Sequence, residues 1–233
     1  MTNGLNVVAA NGIIRGNNNQ GVTMKYSDYN MKQHGFIGHM AEPDTAVCDK
    51  AVIVIMGGEK SILPGIKIAE TFADNGITAL SVSLFGADGL PNSPDRVPVE
   101  MFGKAINFLR NEKHIDDISI YGMSMGTVFA VLAAEIYGGI KNLILCSPTH
   151  IAFEGTTSDK KQMTNHSIAT YKGKDIPFTK TDFTFDKMSK YPRTAESNHK
   201  VTNMWVAFKK AYSDKEQESK AYLHHEKQVR EYC

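Results

Sequence analysis

Between Asp117 and Ala130 the chain reads Asp-Ile-Ser-Ile-Tyr-Gly-Met-Ser-Met-Gly-Thr-Val-Phe-Ala, a β-branched run that enters G-x-S-x-G and leaves in a helical pattern. No other stretch restricts the fold as strongly. A strand passes directly into a helix only through a sharp turn, and Gly122 and Gly126 remove the side chains that would collide with neighbouring backbone there. Ser124 is thereby placed on the strained turn itself, with the start of a helix beneath it favouring developing negative charge. This is the pattern of a nucleophile elbow. The bland alternative is a Gly-Ser turn with no chemistry. The apolar strand before it, and Val128, Val131, Leu132, Ala134 and Ile136 on the helix after it, favour the elbow.

The residues on either side supply a matching framework. Ala51 to Met56 is an unbroken apolar run ending at Gly57-Gly58, as expected of a parallel strand buried on both faces. Pro64 and Gly76 frame a helix with Ile68, Ala69, Phe72 and Ala73 on one stripe, and Ile77 to Ser83 is the next strand. Phe85 to Pro98, rich in Gly and Pro, is a loop. Val99, Phe102, Ile106 and Leu109 then mark a helix before the elbow strand, and Lys141 to Cys146 is a strand after the elbow helix. Strand alternating with helix means a mostly parallel α/β sheet. Upstream, Val22, Met24 and Tyr26 alternate with polar residues, Ser27 to Asn30 turns, and Gln33 to Met40 is extended. This predicts an antiparallel hairpin, followed by a loop from Ala41 to Asp49. Residues 1–20 mix Gly and Asn with few aliphatics and are expected to form a loose N-terminal arm, leaving 21–233 as one domain with its core in 51–146.

Past Cys146 the character changes. Val, Ile and Leu make up 28 of the 96 residues from Ala51 to Cys146 but 7 of the 87 from Ser147 to Cys233, so segment 147–233 cannot supply further buried parallel strands. It reads as a loop-rich excursion from His150 to Lys200, one helix from Val201 to Lys220 and a polar ending from Tyr222. Without late strands, one sheet edge is left open, and an unpaired edge is a surface through which copies can associate. Lys and Arg total 26 against 25 for Asp and Glu, so no net field recruits nucleic acid or an anionic membrane. No window approaches the roughly 20 apolar residues of a membrane helix. Cys48, Cys146 and Cys233 form no close pair and no metal-ligand spacing, which suits a reducing, cytoplasmic compartment. Neither a metal nor a cofactor is expected.

A serine hydroxyl needs a base to remove its proton, and a histidine base needs a carboxylate to fix its tautomer. The histidines after Ser124 are His150, His166, His199, His224 and His225, and the acids include Asp159, Asp175, Asp182, Asp186 and Asp214. His150 follows Ser147-Pro148-Thr149 at the end of the last clear strand, so it is a candidate base; a solvated loop histidine is the alternative. The oxyanion formed in acyl transfer needs N–H donors. One is the backbone of Met125, the residue after the nucleophile, and the second falls in the turn Gly57, Gly58, Glu59, with Gly58 as the candidate. Gly86, Asp88, Gly89 and Pro91 either line the pocket mouth or form a simple turn.

From Met56 to Thr179 the sequence resembles the C-terminal catalytic domain shared by acyl-CoA thioesterases and bile acid-CoA:amino acid N-acyltransferases, which is related to dienelactone hydrolases. The resemblance is carried by Ala69-Glu70-Thr71-Phe72-Ala73-Asp74-Asn75-Gly76, Phe85-Gly86-Ala87-Asp88-Gly89-Leu90-Pro91, Val97-Pro98-Val99-Glu100-Met101-Phe102, Gly122-Met123-Ser124-Met125-Gly126, Ser147-Pro148 and Tyr171-Lys172-Gly173-Lys174-Asp175-Ile176-Pro177-Phe178. It implies an α/β-hydrolase fold and cleavage of an acyl thioester through an acyl-serine intermediate, with serine rather than cysteine at the elbow favouring hydrolysis over transfer to glycine or taurine. The 50 residues before Ala51 are too few for the β-sandwich domain of the family's eukaryotic members. In the family, a segment like Ala221 to Lys227 precedes the strand bearing the catalytic Asp, with the His further on, so only Ser124 carries over. Three expectations stay open: a serine hydrolase of acyl-CoA thioesters or related esters, a shortened relative without a complete triad that is inactive or a binding module, and a dienelactone-hydrolase-like carboxylesterase.

Overall fold

A computed structural model describes residues 6–9, 24–46, 48–149 and 151–180. The main sheet has seven strands. They are β1 (Asn6–Ala9), β2 (Met24–Tyr29), β3 (Gly38–Pro43), β4 (Lys50–Ile55), β5 (Thr78–Val82), β7 (Asp117–Met123) and β8 (Ile140–Cys146), in spatial order β1-β8-β7-β4-β5-β3-β2. Strands β1, β8, β7, β4 and β5 run parallel, and β3 is antiparallel to both β5 and β2. Three helices pack on the sheet: α2 (Leu63–Asp74), α3 (Glu100–Asn111) and α4 (Gly126–Tyr137). One turn of helix, α1 (Met31–His34), lies between β2 and β3.

The unbroken apolar run of β4 has two destinations. Ile53 and Ile55 join Leu80, Val82, Ile118, Ile120, Leu143 and Leu145 against α3 and α4, where Phe102, Ile106, Val128, Phe129 and Leu132 are buried. Val52 and Val54 point the other way, with Ala79 and Tyr121, onto the Ala69 and Phe72 stripe of α2. A strand covered on both faces has no polar side, which is why the pattern is continuous rather than alternating. Each such aliphatic side chain contributes roughly 1.5–3 kcal/mol by leaving water.

Three expectations on the framework are revised. Within the arm expected to be loose, Asn6–Ala9 pair in parallel with Asn142–Leu145 of β8. The edge that the sequence leaves open beyond β8 therefore carries a strand from the chain's own N-terminal region, supplied by β-branched Val7 and Val8. The expected hairpin forms, but β2 continues through Ser27, Asp28 and Tyr29, and β3 extends to Pro43. The reversal falls later, on α1, because the Asn30 side chain caps its start by accepting from Gln33 N–H at 3.0 Å and Gly35 ends it at φ 74°.

The excursion after β8 contains short strands where a loop was expected. These are β9 (Glu154–Thr156), β10 (Met163–Ser167), β11 (Ala169–Tyr171) and β12 (Lys174–Asp175). The hairpin β9–β10 is antiparallel, whereas β11 pairs with β12 and, in parallel, with β6 (Val97–Pro98). Ile168, Ala169 and Thr170 are buried, so this segment does supply a buried parallel pairing, outside the main sheet. Strands this short bury few side chains and leave no periodicity to read. Arg96 fastens the assembly from outside, its Nε donating to Asp175 at 2.8 Å. The expected helix from Val201 to Lys220 and the polar ending from Tyr222 lie outside the described residues.

Candidate active site

The carboxyl ends of four parallel strands lie at one edge of the sheet, since Ile55 pairs with Val82 on one side and Gly122 on the other, and Met123 with Cys146. From β4 the chain crosses through α2 to β5 on one side, then returns to place β7 on the other. The crevice between the ends of β4 and β7 is thus the topological switch point, where ligands bind in open α/β sheets. Ser124 follows β7 there, and Gly57-Gly58 follow β4.

Ser124 has φ 52°, a left-handed conformation that costs a non-glycine residue about 1–3 kcal/mol. Its surroundings hold it in place. Its N–H donates to Cys146 O at 2.8 Å, and its carbonyl accepts from Thr127 N–H at 3.0 Å and Thr127 Oγ1 at 2.6 Å. The side chain is exposed, standing above the first turn of α4. Two glycines allow this. A Cβ on Gly126 would meet Ile55 O at 2.2 Å and Met56 O at 2.4 Å, and one on Gly122 would meet Ala130 Cβ, Gly126 O and Thr127 Cα at 3.0 Å. With glycine at both positions, α4 starts directly against the end of β4.

The β4 turn closes on the serine from the other side. A Cβ on Gly57 would lie 3.0 Å from Ser124 Cβ, 3.2 Å from Met123 O and 3.4 Å from Glu59 Oε2, so backbone passes where any other residue would carry a side chain. At Gly58 the same construction lies 3.8 Å from Met125 Cε and 3.6 Å from Lys160 Nζ. The tip of the Met125 side chain therefore reaches the Gly58 turn. Met125 stands at the start of α4, among the N–H groups that have no acceptor within the helix.

The remaining candidates separate. Asp175 is committed to Arg96 and to Ser167 N–H, and Asp159 to Thr157 Oγ1 and Lys161 N–H. These hydrogen bonds, with that from Thr157 the largest cause, hold the Asp159 carboxyl below its usual range. His166 pairs with Asp95 at 3.5 Å. Gly86, Asp88, Gly89 and Pro91 form a turn closed by Gly86 N–H to Pro91 O at 2.6 Å, and Gly86 packs against Lys60. Among the described residues no group of three His, Cys, Asp or Glu side chains could hold a metal. His150, His199, His224, His225, Asp182, Asp186 and Asp214 lie outside the described residues. Thr149, next to His150, is tied to the elbow, because its N–H donates to Thr127 Oγ1 at 3.2 Å. Thr127 and Lys160 are site residues that motif reading passed over. Thr127 was within reach of it, as a hydroxyl three positions after the serine, but Lys160 carries no local signal.

The alpha/beta hydrolase fold family matches residues 50–232. The chain belongs to that family. No curated protein matches the chain. Among solved structures it is similar to a cold-adapted esterase from an Arctic intertidal metagenomic library, at 19% identity and TM-score 0.42 over 56% of this chain and 64% of that one. It is similar to the dienelactone hydrolase of Anabaena variabilis, at 14% identity and TM-score 0.40 over 53% of this chain and 62% of that one. An esterase of the bacterial hormone-sensitive lipase family matches at 16% identity and TM-score 0.43 over 55% of this chain and 45% of that one. The chain spans less than two thirds of the length of each of these structures. Among the described residues, no helix is long and apolar enough to cross a membrane.

Proposed function

We propose that this alpha/beta hydrolase family member is a serine hydrolase of acyl-CoA thioesters or related esters. The observation that carries the reading is the left-handed Ser124, exposed at the switch point with its side chain against the Gly57 backbone. In the proposed reaction a histidine base takes the Ser124 proton as Oγ attacks the carbonyl carbon. The resulting oxyanion accepts from the N–H groups of Met125 and Gly58. Collapse expels the thiol or alcohol, which takes the proton from the imidazolium, and water then hydrolyses the acyl-serine by the same steps. The choice of acyl-CoA as substrate rests on the family resemblance of Phe85 to Pro91 and Tyr171 to Phe178 together with the elbow.

One observation favours a second reading, a dienelactone-hydrolase-like carboxylesterase with His150 as base. The chain through Thr149 N–H, Thr127 Oγ1 and the Ser124 carbonyl ties the residue before His150 to the elbow. Fluorophosphonate labelling, read by intact mass and peptide mapping, tests both. Stoichiometric labelling that maps to Ser124 and is abolished in Ser124→Ala is expected. Loss of labelling in His150→Gln with preference for simple esters would favour the second reading. Folded wild-type protein that does not label would sink the hydrolase proposal and leave the family member without a working triad.

A further inference from the structure

Lys160 reaches Gly58 from 102 residues away and donates to its carbonyl at 2.8 Å. The reach is built into the turn between β9 and β10. Lys160 N–H donates to Thr157 O at 2.8 Å and Thr157 N–H to Gln162 O at 3.0 Å. The Thr157 hydroxyl donates to Asp159 Oδ1 at 2.5 Å and accepts from Gln162 N–H at 3.2 Å, and Asp159 Oδ1 also accepts from Lys161 N–H at 3.1 Å. Lys160 itself has φ 59°, a conformation a lysine keeps only where its surroundings impose it. The side chain is half-buried, although the turn is otherwise largely exposed.

The target of this reach is chemically specific. Gly57 and Gly58 are consecutive glycines, the freest backbone a chain can have, and they must be fixed if Gly58 is to present an N–H to a developing charge. Fixing the Gly58 carbonyl restricts the rotation that would let the turn flip. The ammonium also lies within 3.6 Å of the Gly58 Cβ position, while Glu59 Oε2 lies within 3.4 Å of the Gly57 one. A carboxylate on this turn opposes formation of an anion beside it, and the Lys160 ammonium at Gly58 offsets it.

We infer that Lys160 is a positioning residue for Ser124 chemistry: its ammonium, presented by the β9–β10 turn, locks the Gly57–Gly58 turn and sets a positive charge beside the oxyanion. The assignment rests on the hydrolase reading, and its test is arranged so that the two fail separately. Backbone order parameters of the Gly57 and Gly58 amides, from nitrogen spin relaxation, need no catalysis. They are expected to fall in Lys160→Met and to return in Lys160→Arg, with both variants unfolding near the wild-type temperature. In protein whose Ser124 labels with fluorophosphonate, Lys160→Met is expected to slow labelling and ester kcat about 10-fold with KM within about twofold, and Lys160→Arg to restore most of the loss. Unchanged order parameters in Lys160→Met overturn the assignment, as does an unchanged labelling rate in protein that labels. Wild-type protein that does not label overturns the hydrolase reading instead, and the order parameters alone then decide whether Lys160 fixes the turn.

Discussion

Gly126→Ala is the sharpest perturbation of the arrangement around Ser124. The added methyl would sit 2.2 Å from Ile55 O and 2.4 Å from Met56 O, and both obstacles are backbone atoms that cannot rotate away. Restoring ordinary contact at about 3.4 Å requires α4 and the end of β4 to separate by about 1.2 Å. Two terms oppose each other. Alanine is favoured over glycine in a helix by at most about 1 kcal/mol. Overpacking costs about 1–3 kcal/mol, and rigid backbone places this site at the upper end. The net loss of about 2 kcal/mol should lower the unfolding midpoint by roughly 4–8 °C for a chain of this size. The displacement also carries Ser124 and Met125 away from Gly57, and a misplacement near 1 Å costs on the order of 100-fold in rate. Thermal unfolding followed by circular dichroism and the rate of fluorophosphonate labelling measure the two effects. A Gly126→Ala protein that melts and labels like wild type would refute the close approach of α4 to β4.

Burial of the Tyr29 and Tyr137 phenols pushes each up to about 12, and burial with a hydrogen bond to Cys146 pushes Tyr121 up as well. Because the folded state holds these protons more tightly, their stabilisation is complete below pH about 10 and falls as pH rises past it. Urea unfolding should therefore need less denaturant at pH about 11 than at about 8, with part of the phenolate absorbance appearing only on unfolding; complete ionisation near pH about 10 in folded protein would contradict this. Lys113 Nζ donates to both carboxylate oxygens of Glu42, at 2.9 and 2.8 Å, with side chains 22% and 20% exposed. Lys113→Met should cost about 1–2 kcal/mol in urea titrations, less than the 3–5 kcal/mol of a fully buried pair, and adding Glu42→Gln should recover most of it. A single variant as stable as wild type would show that the pair contributes nothing.

The frame of the fold is local in origin. The unbroken apolar run at 51–56 and the aliphatic-bearing strands at 77–83 and 141–146, with helical stripes between them, call for a parallel sheet covered on both faces. The G-x-S-x-G stretch determined that Ser124 would turn out of that sheet, because only glycine at 122 and 126 lets strand and helix approach so closely. These are local constraints, written in adjacent residues. Tertiary structure decided what adjacency cannot express. The aliphatics at Asn6–Ala9 are too few to announce a strand, and they became one because β8 offered an unpaired edge. The reversal between β2 and β3 moved past Ser27 because the Asn30 cap and Gly35 make a helical turn that spacing alone does not reveal. Likewise Lys160 is an ordinary lysine in a polar stretch until the β9–β10 turn places it on Gly58, 102 residues away. Strand and helix periodicity records which face a residue shows to the core, whereas a contact across the fold depends on where two separately determined segments meet, and no local pattern encodes that meeting.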